Sequence, residues 1–556
     1  MRLRTASSFF LRLAPGALPT ALATTRATAL AAALAATLAA CTVGPDFKPP
    51  EANAPADWNA THAANAANAP GEKPAASTPT MQSDPDPRWW KNFRDPTLDA
   101  LIDRAVRGNP DLQIAVVRIA EARAQTQQAA AQGLPNVRAS ASYEREQLGA
   151  KGLLESEGVY DKVNALGAPN SPVNQFAPGE GPALESGVRN ALDQITAPVN
   201  LWQVGFDASW EIDLFGRVRR SVEAANAQTD EAIESQHDAQ VSLEAEVAET
   251  YLQLRGAQML RATALDIIRQ QRETVDLARN ASKHGLQSQL DVERSEAERA
   301  QTEALLPQYD QQIAQSLNAL AVLVGEAPGA LDAELTPPGA LPGTPPSVPV
   351  GLPATLARRR PDIRRAEAAL HAATANVGVA VAQFYPDISL TGQVGTRATT
   401  PHDLAHWANL FWSWGPSISL PIFQGGALVS NLQLSKLQQQ EAALDYRKTV
   451  LGALRDVNNA LTVYQTDQSK RVSLDESVAA QRRAFDLARD SYRKGIVSFI
   501  DVLDAERQLS SAQQNAQQGE LQVCTDLVSL YKALGGGWDD TAAPLAAAPS
   551  PASAAQ

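Results

Sequence analysis

A chain of 556 residues that is 44% apolar but only 5% aromatic suits extended helices better than one large aromatic-rich core. With 48 basic against 61 acidic residues the net charge is −13, which disfavours nucleic acid as a partner. Two cysteines, Cys41 and Cys524, stand far apart in unlike contexts and support neither a disulfide framework nor a cysteine-based zinc site.

The chain begins with Arg2, Arg4, Arg12 and Arg26, followed by an Ala/Leu run over 27–40. A positive flank, a short apolar region and small residues before a cut make 1–40 a signal peptide. The run is too short to span a membrane comfortably as a helix. It ends in Leu38-Ala39-Ala40-Cys41, which resembles the bacterial lipobox, whose cysteine is acylated and becomes the mature N-terminus. Thr42 rather than Asp follows, and by the same resemblance this favours export to the outer membrane. Each buried CH₂ of an acyl chain adds about 0.8 kcal/mol of anchoring. Residues 41–87, rich in Ala, Pro, Asn and Thr, read as a lipidated tether with little fixed structure.

Ordered structure is expected from Arg88-Trp89-Trp90 onward, and a first structural repeat fills 88–325. After Asn109-Pro110-Asp111 a helix runs to about 132, closed by Gly133 and Pro135. A strand through Val137, Ala139, Ala141 and Tyr143 leads to a Gly, Pro and Asn-rich insertion without periodicity over 146–198. In the next strand Trp202, Val204, Phe206, Ala208 and Trp210 alternate with Gln203, Gly205, Asp207, Ser209 and Glu211, and the pattern continues to Asp213 and Leu214. One face is apolar and aromatic, the other polar and acidic. Taken alone, this strand fits half of a soluble sheet as well as a bilayer-crossing strand. From Arg217 to Lys283 no proline occurs, and 67 helical residues make a rod of roughly 100 Å. Lys283-His284-Gly285 breaks it, and a shorter helix over 288–324 should be kinked or divided at Pro307. Residues 326–353 form a Pro/Gly-rich linker.

The pattern then repeats over 354–537, leaving an Ala/Pro-rich tail at 538–556 read as disordered. Pro361-Asp362 matches Pro110-Asp111 at an offset of 361 − 110 = 251. Asp486-Leu487-Ala488-Arg489, Gly495 and Asp501-Val502 match Asp276-Leu277-Ala278-Arg279, Gly285 and Asp291-Val292 at 210. The difference, 251 − 210 = 41 residues, is the extra length of the first loop between strands. Constant offsets over such a span indicate duplication. In the second half Ile388, Leu390 and Val394 form a strand broken by Gly392, and Trp412, Trp414, Ile418, Leu420 and Ile422 form another. Val450, Leu454, Val457, Leu461 and Tyr464 trace a coiled-coil seam, with counterparts Val247, Tyr251 and Leu254.

The fold class is therefore mainly α with transmembrane β, a tandem repeat of long helices with four strands per chain. Four strands leave open edges that lipid cannot satisfy, so two or three chains must pool strands. Lumen-facing Asp207, Ser209, Glu211 and Asp213 imply a water-filled interior, for which twelve strands leave more room than eight. Trp202, Trp210, Trp412 and Trp414 fit interfacial belts, with buried structural aromatics as the competing reading.

The lipobox followed by Gly44-Pro45-Asp46-Phe47, the tandem repeat, and the stretch from Gly495-Ile496-Val497-Ser498 to Asp501-Val502-Leu503-Asp504-Ala505 resemble the outer membrane factor family, the TolC-like channel tunnels, in their lipoprotein branch. The resemblance covers nearly all of the mature chain. It implies a homotrimer with a twelve-stranded barrel in the outer membrane lipids and a helical barrel projecting into the periplasm. It also implies docking to a periplasmic adaptor (membrane fusion) protein and an inner-membrane transporter of RND type. By this resemblance Asp501 and Asp504 match aspartates that ring the periplasmic aperture, Asp291 an acidic position of the first repeat, and Tyr492 a latch tyrosine. A latch arginine of the family is replaced here by Val497, so the closing bonds must differ. The helix-breaking tips, with Lys283, Gly285 and Leu286 in one and Lys494, Gly495 and Ile496 in the other, are the adaptor-docking candidates.

The function so implied is a passive exit duct of a tripartite efflux pump. The exit duct of a type I protein secretion system shares the fold, and a lipid-anchored coiled-coil spacer is the reading from a different class. No phosphate loop, zinc-type His spacing or nucleophile elbow is present, so no catalytic residue, metal or cofactor is expected. His402 and His406 lie four apart without a third ligand nearby.

Overall fold

The computed structural model describes residues 42–51, 54–58, 78–80, 86–147 and 149–539. The signal peptide, Cys41 and the tail from 540 lie outside them. The chain divides into two units, one built from 128–221 and 378–431 with the segment ending at Gly44, the other from 45–127, 222–377 and the residues after 431.

In chain order the elements are β1 (Thr78–Thr80), α1 (Pro96–Gly108), α2 (Pro110–Ala131), β2 (Asn136–Glu146), and then four short helices, α3 (Ala150–Ser156), α4 (Val159–Leu166), α5 (Pro172–Phe176) and α6 (Gly181–Thr196). There follow β3 (Val199–Glu211), α7 (Arg217–Lys283), α8 (Gln289–Glu303), α9 (Leu306–Leu323), α10 (Asp332–Leu335), β4 (Ser347–Pro349), α11 (Pro353–Arg359) and α12 (Pro361–Ala382). The chain ends with β5 (Asp387–Ala398), β6 (Leu410–Ser419), α13 (Ala427–Arg493) and α14 (Phe499–Ala533). The duplication is visible in the backbone. α2 and α12 each have 22 residues, and α7 and α13 each have 67. Pro307 does divide its helix, since α8 ends and α9 begins around it, with the proline in the first turn of α9 where its missing N–H costs nothing.

The first unit is a four-stranded antiparallel sheet in the order β2-β3-β5-β6. Its register sorts the side chains. Val137, Ala208, Gly392 and Trp414 lie in one row, and Ala139, Phe206, Val394 and Trp412 in another, on the same face. Arg138, Asp207, Gln393 and Ser413, and then Asn136, Ser209, Thr391 and Gly415, occupy the other. β5 is continuous through Gly392, contrary to the break expected there, and the glycine pairs with Ala208 on one side and Trp414 on the other. β6 stops at Ser419, short of Leu420 and Ile422, where Pro421 cannot donate to a ladder. β2 and β6 are edges, and every residue of β2 is exposed.

The second unit is helical, and its core is the expected seam. Val247, Tyr251 and Leu254 of α7 lie in one buried cluster with Val457, Leu461 and Tyr464 of α13 and Leu527 and Tyr531 of α14. Trp89 stacks on Tyr531 with ring centroids 5.1 Å apart. Asp95 caps α1 by accepting the N–H groups of Thr97 and Leu98, and Asn109 caps α2 through Asp111 and Leu112.

Three low-complexity readings need correction. Part of the segment read as a loose tether is fixed: Trp58 is fully buried and its Nε1 donates to the Gly351 carbonyl at 3.0 Å, and β1 pairs in parallel with β4. The 326–353 linker contributes Leu331, Leu335, Val348 and Val350 to the core. Trp538, assigned to the tail, stacks on His237 at 4.4 Å and donates to the Arg359 carbonyl. Isolated large apolar residues anchor these Pro-rich segments, and periodicity cannot reveal single anchors.

Candidate functional site

The polar sheet face is less acidic than the sequence suggests. Glu211 ends β3 and pairs with Arg217, while Asp213 lies past the strand, 3.2 Å from Arg219, and accepts the Arg219 backbone N–H at 2.9 Å. These two carboxylates serve the start of α7, whose free N–H groups favour anions. Asp207 accepts from Ser140 and stands across from Arg138; Gln203 accepts from Arg397. Ser209 faces Asn136 and Thr391 on the same face. On the apolar face Trp412 and Trp414 are 68% and 75% exposed. Trp202 is half-buried against Tyr143, and Trp210 donates to the Gly133 carbonyl.

At the far ends of the long helices the two repeats turn in the same way. Gly285 and Gly495 adopt left-handed φ of 71° and 73°. Leu286 N–H reaches back to the Ala281 carbonyl, and Ile496 N–H to that of Ser491, as a Schellman closure requires. The closures turn Leu286 and Ile496 outward, 82% and 72% exposed, beside the exposed Lys283 and Lys494. Ser288 and Ser498 then cap α8 and α14.

The aperture candidates split by role. Asp501 accepts from both the backbone N–H and the hydroxyl of Ser498, at 2.9 and 2.8 Å, so it closes a capping box. Asp504 is exposed and pairs with Arg507 at 2.5 Å; Asp291 pairs with Arg294 at 3.8 Å. The Tyr492 hydroxyl donates to Gln287 Oε1 at 2.7 Å, joining the second tip to the first, and its ring meets Phe499 edge-on. Arg493 stays near Asp490 in its own helix. Burial, with the nearby Asp291 charge second, raises the Tyr492 pKa.

A two-faced open sheet, duplicated long helices and paired glycine tips coincide with one family model, that of the outer membrane efflux protein, which matches residues 101–326 and 352–536. The chain belongs to this family. It is similar to the probable efflux pump outer membrane protein TtgC of Pseudomonas putida, with 32% identity over 502 residues covering 90% of this chain and 93% of the relative. Nodulation protein T of Rhizobium leguminosarum bv. viciae is 30% identical over 513 residues, 92% of this chain and 93% of that one. Among solved structures the outer-membrane channel OprN superposes with a TM-score of 0.75 at 34% identity, over 90% of this chain and all of that one. The open-state MtrE channel of Neisseria gonorrhoeae gives 0.66 at 29%, over 89% and 98%. As an outer membrane efflux protein the chain is a channel component of the outer membrane, with a TolC-like fold. Among the described residues no helix is long and apolar enough to cross a membrane.

One residue of this efflux protein escaped the sequence reading. Glu506 of α14 is 1% exposed and accepts a hydrogen bond from Thr274 Oγ1 at 2.9 Å. Burial pushes its pKa up to about 7, with Glu298 and Glu273 adding to the rise and Arg489 opposing it. The side-chain amide of buried Gln271 has no partner. A signal did exist, because Arg489 and Glu506 repeat Arg279 and Glu296 at the offset of 210. His402 and His406 contact each other edge-on, and among the described residues no group of three His, Cys, Asp or Glu side chains is placed to hold a metal.

Proposed function

We propose that three copies of this chain assemble into one tunnel that passively conducts small molecules outward from a periplasmic adaptor and an inner-membrane transporter of RND type. The observation that carries this reading is the sheet: one apolar and one polar face, ten to thirteen residues per strand, and two unpaired edges. Bilayers admit strands only where every edge is closed, so β6 of one copy pairs with β2 of the next and twelve strands close a barrel with the polar face inward. The helical unit supplies the family's periplasmic tunnel, and acylation at Cys41 adds an anchor. Relatives are named for antibiotic, toluene and solvent efflux, which favours small, largely apolar cargo over secreted protein.

In this assembly Asp291, Asp501 and Asp504 ring the periplasmic aperture, with Tyr492 and Gln287 holding it narrow. Carboxylate rings repel anions and bind multivalent cations. Leu286 and Ile496, flanked by Lys283 and Lys494, present an apolar and basic surface for the adaptor. The test is oligomeric mass together with single-channel conductance of the purified protein. A trimer with small, cation-selective conductance is expected, and Asp501→Ala with Asp504→Ala should raise it and weaken block by multivalent cations. A monomer without conductance would sink the reading and favour an anchored spacer.

A further inference from the structure

The two hairpins of the sheet differ in one respect. β2 and β3 are joined by 52 residues (147–198), β5 and β6 by 11 (399–409), and 52 − 11 = 41 is the excess between the repeat offsets. The excess is folded. α3 to α6 enclose Tyr160 and Val163, and the Tyr160 hydroxyl donates to Asp193 at 3.2 Å. Asn174 braces the module, donating to the Ala168 carbonyl and accepting the Gly181 N–H, both at 2.9 Å. Arg189 donates to Asn164 at 3.0 Å. Such a module has no need of exposed apolar side chains, yet it holds out Phe176, 92% exposed, with Ile195 and Leu153. On soluble proteins, exposed apolar groups held by an ordered frame mark a contact surface.

We infer that the three modules of the trimer meet over the outer mouth of the barrel, each covering its exposed apolar side chains against the module of the neighbouring copy, and so restrict what enters or leaves there. The inference rests on the trimeric barrel proposed above. Twelve strands about 4.8 Å apart and tilted about 40° enclose a wall roughly 24 Å across. A compact module of 47 residues (150–196) is roughly 25 Å wide. Three modules centred on that wall at 120° have centres about 21 Å apart, less than their own width, so they touch. Their tethers hold them there, with three residues between β2 and α3 and two between α6 and β3. β2 is also the edge strand that pairs with the next copy, which makes the module continuous with the subunit interface. The hairpin joins the end of β3 opposite the one that leads into α7. The corresponding hairpin of the second repeat has only two 3-10 turns there and encloses no buried residue of its own.

The test reads the mouth alone, without involving the periplasmic tips. Ser413→Cys places a thiol on the polar face three residues inside the outer end of β6. It is labelled in intact cells with a small impermeant maleimide and with a polyethylene-glycol maleimide of several kilodaltons. The small reagent should react in every variant. The large one should react at least about tenfold faster once 150–196 is replaced by a short turn, or once Phe176→Ser and Ile195→Ser are combined should the replacement not assemble. Under an added mild oxidant, which takes up the two electrons and two protons, Phe176→Cys should form disulfide-linked dimers. Equal labelling by the large reagent in variants that remain trimeric overturns the inference. So does quenching of a Phe176→Trp fluorophore by brominated lipid, which would place the side chain in the membrane. A wild-type protein that is not trimeric overturns the barrel reading instead.

Discussion

The two repeats carry the same arginine and glutamate near their tips and use them in opposite ways. In the first, Arg279 donates to Glu296 at 3.0 Å in a pair open to water. In the second, Arg489 leans over the Phe485 ring and toward Asp486, while its Nε finds no partner and Glu506 turns inward to Thr274. The neighbours differ too. Phe499, buried with Ala278, Val292 and Leu503, occupies the position held in the first repeat by exposed Gln289. Duplication copied the backbone, and single substitutions then gave the second tip an aromatic side chain that packs with Ala278 and Val292 of the first, and a buried acid. A difference of this kind gives one half of a channel tip a condition for stability that the other half lacks.

The largest effect should come from removing the packing difference. Phe499→Ala is expected to lower the free energy of local opening at the second tip by about 3 kcal/mol, and Gln289→Ala at the first by less than about 0.5 kcal/mol. Amide hydrogen exchange in the intact protein measures both. Equal effects at the two tips would erase the contrast.

Protonation gives the next effect, and its sign follows from burial. The Glu506 carboxyl has a folded-state pKa of about 7, above its unfolded value, so the folded tip binds the proton more tightly. The stabilisation is complete below pH of about 4.5 and is lost as pH rises through 7, at up to about 1.4 kcal/mol per pH unit. Glu506→Gln should abolish this slope and protect the second tip at pH 8. Glu296→Gln, which breaks only an exposed pair, should cost less than about 1 kcal/mol and leave no pH signature. Exchange rates that show the same pH slope in both variants would contradict the assignment.

The smallest effect tests the link between the tips. Tyr492→Phe removes the hydroxyl that donates to Gln287 and should weaken closure by about 1 kcal/mol, seen as more frequent openings in single-channel records. An unchanged opening frequency would mean that packing against Phe499 alone holds the tips together.

What could be read in advance followed from long regular patterns. Period-two alternation gave the strands, absence of proline gave 67-residue helices, and fixed offsets gave the repeats, because each is a property of many residues at once. The helices of the 150–196 module escaped because they are 5 to 16 residues long and interrupted by Gly and Pro. The pairing of Glu211 with Arg217 and of Asp213 with Arg219 spans a strand-to-helix junction, where neither periodicity applies. Nor did the sequence mark Glu506 as buried, since it repeats Glu296 at the same offset, and the turn of Arg489 and the packing of Phe499 in place of Gln289 that separate the two act only in three dimensions.

The unpaired edges of the sheet bear on how the protein must be made. In the barrel proposed above, a sheet with β2 exposed along its whole length is finished only by another chain, so the last folding step is a meeting between chains whose rate depends on how many are present. Until that meeting, the same edges are open to any other extended segment nearby. In that barrel the cell's supply of this protein is governed by the timing and crowding of newly delivered chains as much as by their number.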